Sequence, residues 1–207
     1  MPAWNRSLFL LINATANAPP GEIAVAKLLA LTPIVVAPAL LTALWIWGSR
    51  SARRGLLATT VATLLAIGIN QILGVAYVEP RPFMIGLGRT LIRHAPDNSF
   101  PSDHATLVWT LAAGLIATGA ARRWGVATAL YGLGVAWARV FLGVHFPLDM
   151  VGSACVAAVG WELALLAMRW PAPMLLGFLE PVYERCIRGL RLPSALVPRA
   201  TAVSGKR

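Results

Sequence analysis

Residues 55–78 read GLLATTVATLLAIGINQILGVAYV and carry no charge. As a helix such a run reaches about 36 Å, more than the roughly 30 Å of a bilayer's hydrocarbon core. It is solidly apolar and does not alternate, which selects a helix over a barrel strand. Four more stretches behave alike. Leu28 to Trp47 is uncharged, and so is Ala105 to Ala121, which extends back to Ser102. Trp124 to Ala138 is uncharged and continues past Arg139 to Val144, while Met150 to Met168 is interrupted only by Glu162. The expected fold is all-α: a polytopic membrane bundle of five transmembrane helices plus interfacial helices.

Composition agrees. Of 207 residues, 57% are hydrophobic and only 13% charged, about half the charge of a soluble domain. That excludes disorder and an ordinary water-soluble enzyme. The length suits a single domain over 1–207, with a core at 27–170 and a basic tail at 171–207. Leu8 to Ile12 is too short to span and lacks a cleavage site, so it reads as an interfacial helix, not a signal peptide. The part of the tail up to Leu192 reads as an interfacial or cytoplasmic helix. Cys155 lies in an apolar run and reads as a buried free thiol.

The net charge is +10, yet no basic stripe with interleaved aromatics occurs, so nucleic acid is not an expected partner. Position explains the charge better. One side of the membrane collects Arg50, Arg53, Arg54, Arg122, Arg123, Arg169 and the basic residues of the tail. The other side holds only Arg6, Lys27, Arg81, Arg89, Arg93 and Arg139. The positive-inside rule places the N-terminus outside and the tail in the cytoplasm, where anionic membrane lipids attract it.

Ionisable residues at membrane depth are costly and usually functional. Here they gather at one face. After the second span comes Glu79-Pro80-Arg81-Pro82; before the third, Asp97-Asn98-Ser99-Phe100-Pro101-Ser102-Asp103-His104. Arg139 ends the fourth span, and His145, Pro147 and Asp149 begin the fifth. The end of an even span and the start of the next share a side, so all of them meet on the outer face. His145 and Asp149 stand four apart, within reach across a helical turn. A carboxylate on one ring nitrogen leaves the other free as a nucleophile or base. Ser102 suits the N-cap of the third span, where exposed N–H groups favour an anion. Arg81 and Arg139 can fork onto phosphate oxygens. Two arginines, a serine at a helix start and two histidines describe a phosphoryl-transfer pocket. His94 has no partner at motif spacing and reads as a solvated loop residue.

Arg81-Pro82, Pro101-Ser102-Asp103-His104 and Arg139-x5-His145-x3-Asp149 resemble the three signature motifs of the membrane-bound type-2 phosphatidic acid phosphatase superfamily. The longer strings 97–104 and 143–149 look like those of bacterial undecaprenyl-pyrophosphate phosphatases linked to bacitracin resistance. The resemblance implies a multi-pass protein of the bacterial inner membrane with an outward-facing site and a lipid pyrophosphate as substrate. It implies that His145 attacks phosphorus, Asp149 orients it and His104 protonates the leaving oxygen. Arg81, Pro82, Ser102, Asp103 and Arg139 would form the phosphate pocket, with no metal and no cofactor. One departure stands out: the family lysine, six residues ahead of Arg-Pro, is Gly74 here. Lys27 is a candidate replacement, with Arg89 and Arg93 as further cations for a diphosphate. The rival readings are a phosphatase of phosphatidylglycerol phosphate or phosphatidate, and a lipid-headgroup transporter.

Overall fold

The computed structural model describes residues 2–167, 177–179, 181–183 and 185. Its helices are α1 (Ala3–Ile12), α2 (Pro20–Leu31), α3 (Pro33–Trp47), α4 (Arg50–Ala76), α5 (Asp103–Ala117), α6 (Arg122–Phe141) and α7 (Pro147–Ala167), with a 3₁₀ turn at Pro82–Ile85. The fold is an all-α membrane bundle, and no strand occurs among the described residues. Helices α4, α5 and α7 pack on one another; α6 lies along α5, and α2 lies along α6.

The expected spans appear as helices, with two qualifications. Two helices, Ala52–Ala76 and Pro147–Leu166, are long and apolar enough to cross a bilayer, and a third crossing arises if α2 and α3 act as one. The five-span expectation is therefore not met by length and composition. The stretch Leu28–Trp47 is not one helix: α2 and α3 meet at a 55° bend. Pro33 opens the second helix, because its ring cannot donate to the preceding turn. Thr32 closes the first, its hydroxyl donating to Leu28 O at 2.6 Å. Helix α5 has 15 residues, about 22 Å of rise, short of a full hydrocarbon core. The tail helix expected up to Leu192 falls largely outside the described residues. Within them, Tyr183 stacks edge-on against Trp45, and the Arg53 guanidinium lies 4.5 Å from the Tyr183 ring centroid.

The burial pattern is that of a protein dissolved in lipid. Leu64, Ile72, Val75, Leu130 and Val151 are exposed, while Thr59, Thr63, Asn70, Thr106, Thr110 and Ser153 are buried. Lipid tails solvate leucine as well as a protein core does, so small and polar side chains take the interfaces. Cys155 follows this rule: the thiol is exposed on α7, not buried as expected. Apolar surroundings in sequence do not mark burial when the solvent is itself apolar. Glu162 is also exposed on α7.

Close approach between helices rests on residues without bulk. A Cβ on Gly114 of α5 would lie 2.4 Å from Thr59 Oγ1 on α4. A Cβ on Gly160 of α7 would lie 2.7 Å from Ala66 Cβ and 3.1 Å from the Ala62 carbonyl oxygen. The second contact includes backbone, which cannot swing aside. Gly160→Val should therefore push α7 off α4 and destabilise the bundle by about 1–3 kcal/mol. Thermal unfolding in detergent reads this as a lowered midpoint; an unchanged midpoint would contradict the packing.

Candidate active site

The C-terminal ends of α4 and α6 and the N-terminal ends of α5 and α7 carry the site. The segment 142–146 joins α6 to α7, and Pro147 opens α7. The carboxylate of Asp149, in the first turn, reaches back to accept from Phe146 N–H at 2.8 Å, and Asp149 N–H donates to Phe146 O at 3.1 Å. This is one half of a capping box. It locks the carboxylate where His145 needs it, with His145 Nδ1 3.1 Å from Asp149 Oδ2. Ser99 Oγ donates to the same oxygen at 2.5 Å. The carboxylate accepts, so the proton of the neutral ring sits on Nδ1 and the Nε2 lone pair is free to accept.

Two guanidinium groups meet that lone pair. Arg81 Nη1 stands 2.9 Å from His145 Nε2 and Arg139 Nη2 stands 3.2 Å from it. Arg81 is fixed from two further directions, donating through Nε to Asp97 Oδ1 at 2.7 Å and through Nη1 to Val144 O at 2.9 Å. Burial pushes the His145 imidazole well below its ordinary value, and the charges of Arg139 and Arg81 act in the same sense. The ring is therefore an unprotonated base at neutral pH.

Ser102 occupies the N-cap position of α5, but its hydroxyl makes no capping bond and is buried without a partner among the described residues. Its backbone is held by Ser153, whose hydroxyl accepts from Ser102 N–H at 2.9 Å and approaches Ser102 O at 3.0 Å. A fixed backbone with an idle buried hydroxyl suits an anion. His104, on the first turn of α5, is partly buried and lies within the fields of Arg139, His94 and Arg81. Pro82 is buried and starts the 3₁₀ turn behind Arg81.

Asp103 turns away from these cations. Its two carboxylate oxygens accept from Asn70 Nδ2 at 2.8 Å and from Gln71 Nε2 at 3.3 Å, both on α4. It lines a cleft of about 270 Å³ with Asn70, Gln71, Gly74, Asp97 and Asn98, and the cleft reaches Arg81. Gly74, the position of the family lysine, faces Asn98 across this cleft. Lys27 is not brought there: it is exposed on α2 and is not among the cleft residues. Arg89 is engaged elsewhere, donating to Thr15 O while its backbone N–H donates to Asn13 Oδ1.

Three features lay outside the sequence reading. His94 is not a solvated loop residue. Its Nε2 lies 2.9 Å from Arg139 Nη2, and its ring packs edge-on against His145 with centroids 6.2 Å apart. Glu79 is buried with Oε1 unpartnered among the described residues, and burial raises its pKa. Helix α1 is not merely interfacial: its buried Phe9 meets the Phe146 ring at 5.3 Å, and Asn5 Oδ1 accepts from Leu148 N–H at 3.0 Å. Asn5 thus satisfies an N–H at the start of α7 that has no partner within its own helix.

The PAP2 superfamily model matches residues 55–173. YbjG of Escherichia coli (strain K12), provisionally named an undecaprenyl-diphosphatase, is 34% identical over 183 residues, covering 88% of this chain and 91% of its own. The undecaprenyl-diphosphatase BcrC of Bacillus subtilis (strain 168) is 35% identical over 126 residues, covering 61% of this chain and 64% of its own. The crystal structure of Aquifex aeolicus LpxE superposes with a TM-score of 0.67 at 25% identity, over 79% of this chain and 96% of that one. That of the first transmembrane PAP2 type phosphatidylglycerolphosphate phosphatase from Bacillus subtilis gives 0.53 at 16% identity, over 78% and 81%, a likeness of fold alone.

The role of α1 can be tested directly. Asn5→Ala leaves the Leu148 N–H without its acceptor, which should destabilise by about 1–3 kcal/mol. Asn5→Asp keeps an acceptor at that position and should recover most of the loss. Detergent melting curves of the two variants decide it, and equal midpoints for Asn5→Ala and the parent would contradict the contact.

Proposed function

This chain belongs to the PAP2 superfamily and is a membrane lipid phosphatase, and we propose that it hydrolyses undecaprenyl pyrophosphate to the monophosphate and inorganic phosphate. The observation that carries the chemistry is one imidazole held by a carboxylate on Nδ1 and faced by two guanidinium groups on Nε2. A headgroup transporter needs the arginines but has no use for a nucleophile with its orienter.

In the proposed reaction a terminal phosphate enters between His145 and the arginines. The guanidinium donors that now point at Nε2 transfer to phosphate oxygens, which uncovers the lone pair. Nε2 attacks phosphorus as the bond to the bridging oxygen breaks. His104 protonates that oxygen, so the lipid leaves as its monophosphate. His104 then takes a proton from water, the water oxygen attacks the phosphohistidine, and the N–P bond breaks to release inorganic phosphate. Arg81, Arg139 and the Ser102 hydroxyl donate to the equatorial oxygens, where charge accumulates in both steps. Asp149 stabilises the imidazolium character that develops on His145.

Two observations support the pyrophosphate of a long prenyl lipid. The relatives YbjG and BcrC carry the name undecaprenyl-diphosphatase. The helices around the site present exposed apolar side chains, among them Ile72, Val75 and Val151, so a prenyl tail can stay in lipid while its headgroup reaches Arg81. The charge asymmetry of the loops supports an active site on the outer side of the inner membrane.

Phosphate release by the purified protein in detergent, from undecaprenyl pyrophosphate, phosphatidylglycerol phosphate and phosphatidate, tests the assignment. The pyrophosphate should give the highest kcat/KM. His145→Ala should abolish turnover, and His104→Ala should cost roughly 10²–10⁴-fold. A preference for phosphatidate would move the assignment to the rival lipid, and full activity of His145→Ala would overturn the mechanism.

A further inference from the structure

Arg81 and Arg139 face the same nitrogen but are held in different ways. Arg81 is paired with a carboxylate, Asp97, at 2.7 Å. Arg139 is 2% exposed and has no carboxylate within ion-pair distance among the described residues. Its Nε has no hydrogen-bond partner there either. Besides His145, the group that fixes its guanidinium is His94, with Nε2 2.9 Å from Arg139 Nη2. A guanidinium only donates, so His94 Nε2 must accept, and the ring proton belongs on Nδ1, 3.1 Å from Ala95 O.

We propose that His94 is a positioning residue for the phosphatase reaction, a neutral acceptor that aims Arg139 at the incoming phosphate without neutralising its charge. The inference rests on the reading of His145 and Arg139 as the phosphate site. A carboxylate in place of His94 would fix the same guanidinium more strongly, but it would compete with the substrate for it. An imidazole lone pair orients the cation and leaves its full charge for the anion. Burial pushes the His94 imidazole below its ordinary value; the Ala95 hydrogen bond and Asp97, 3.6 Å from Nδ1, oppose this, and Arg81 and Arg139 reinforce it, which favours the acceptor form. The residue is well placed for this: its side chain is 18% exposed, packed edge-on against His145, and carried by the loop that also supplies Asp97 to Arg81. One loop thus sets both arginines, one through a charge and one through a neutral ring.

The test uses the full chain in detergent, with inorganic phosphate as the binding probe and phosphate release as the activity. His94→Ala should weaken phosphate binding and lower kcat/KM, each by about 10-fold, the scale of one hydrogen bond to a charged group. His94→Gln, whose side-chain carbonyl accepts but carries no charge, should recover most of both. His94→Asp should bind phosphate no better than His94→Ala, although it holds the guanidinium. In an Arg139→Ala background, His94→Ala should add little, because the group it positions is gone. Unchanged phosphate affinity and kcat/KM in His94→Ala would overturn the inference. So would full function in His94→Asp, or a His94→Ala loss that is undiminished without Arg139. Phosphate binding is read without turnover, so failure of the catalytic reading, seen as an active His145→Ala, is distinguished from failure of this one. Melting curves confirm that the compared variants are folded.

Discussion

Two buried guanidinium groups pressed against one neutral imidazole are the constraint around which the molecule is built. Arg81 is 5% exposed, Arg139 is 2% exposed and His145 is 1% exposed. Gathering like charges away from water costs free energy. The fold answers by meeting one charge with Asp97 and by holding the imidazole neutral between Asp149 and the arginines. The remaining charge stands ready for an anion. A bound phosphate would accept from both guanidinium groups, so the arrangement that costs the fold stability is the one that favours an anion.

Everything near the site serves that arrangement. The half capping box at the start of α7 fixes Asp149, Ser99 donates to it from the segment before α5, and Asn5 of α1 reaches across to the first turn. Farther down, the helices approach through Gly114 and Gly160, and buried Thr59, Thr63 and Thr110 donate to carbonyls one turn back. Polar groups inside and leucines outside are what a lipid solvent selects. The ends of α4, α5, α6 and α7 that carry the site can then converge without large side chains holding them apart.

That these residues come together was legible because the signals are local. Arg139, His145 and Asp149 lie within one short segment, and the alternation of span ends puts Arg81 and Ser102 on the same face. Long-range partners leave no such trace. His94 and Arg139 are separated by 45 positions, and Asn5 and Leu148 by 143, so neither pair has a spacing to read. Cys155 misled for a different reason: in a membrane protein, hydrophobic neighbours in sequence say nothing about which side of a helix faces protein. The bend between α2 and α3 did have a signal, Thr32-Pro33, which an uninterrupted count of apolar residues passes over. The resemblance placed Asp103 in the phosphate pocket, and the structure does not aim its carboxylate there. Asn70 and Gln71, distant in sequence, draw the carboxylate toward α4.

The central claim is that His145 forms a bond to phosphorus. Rapid quench into alkali, which preserves a phosphohistidine, after mixing the enzyme with substrate labelled in its terminal phosphate, tests it most directly. Label should appear on protein within the first turnover, be lost on brief acid treatment, and map by mass spectrometry to the peptide containing His145. It should persist longer when His104 is replaced, because deprotonation of the attacking water is then slowed. Label that never appears on protein during turnover, or that maps to another residue, would contradict covalent catalysis by His145.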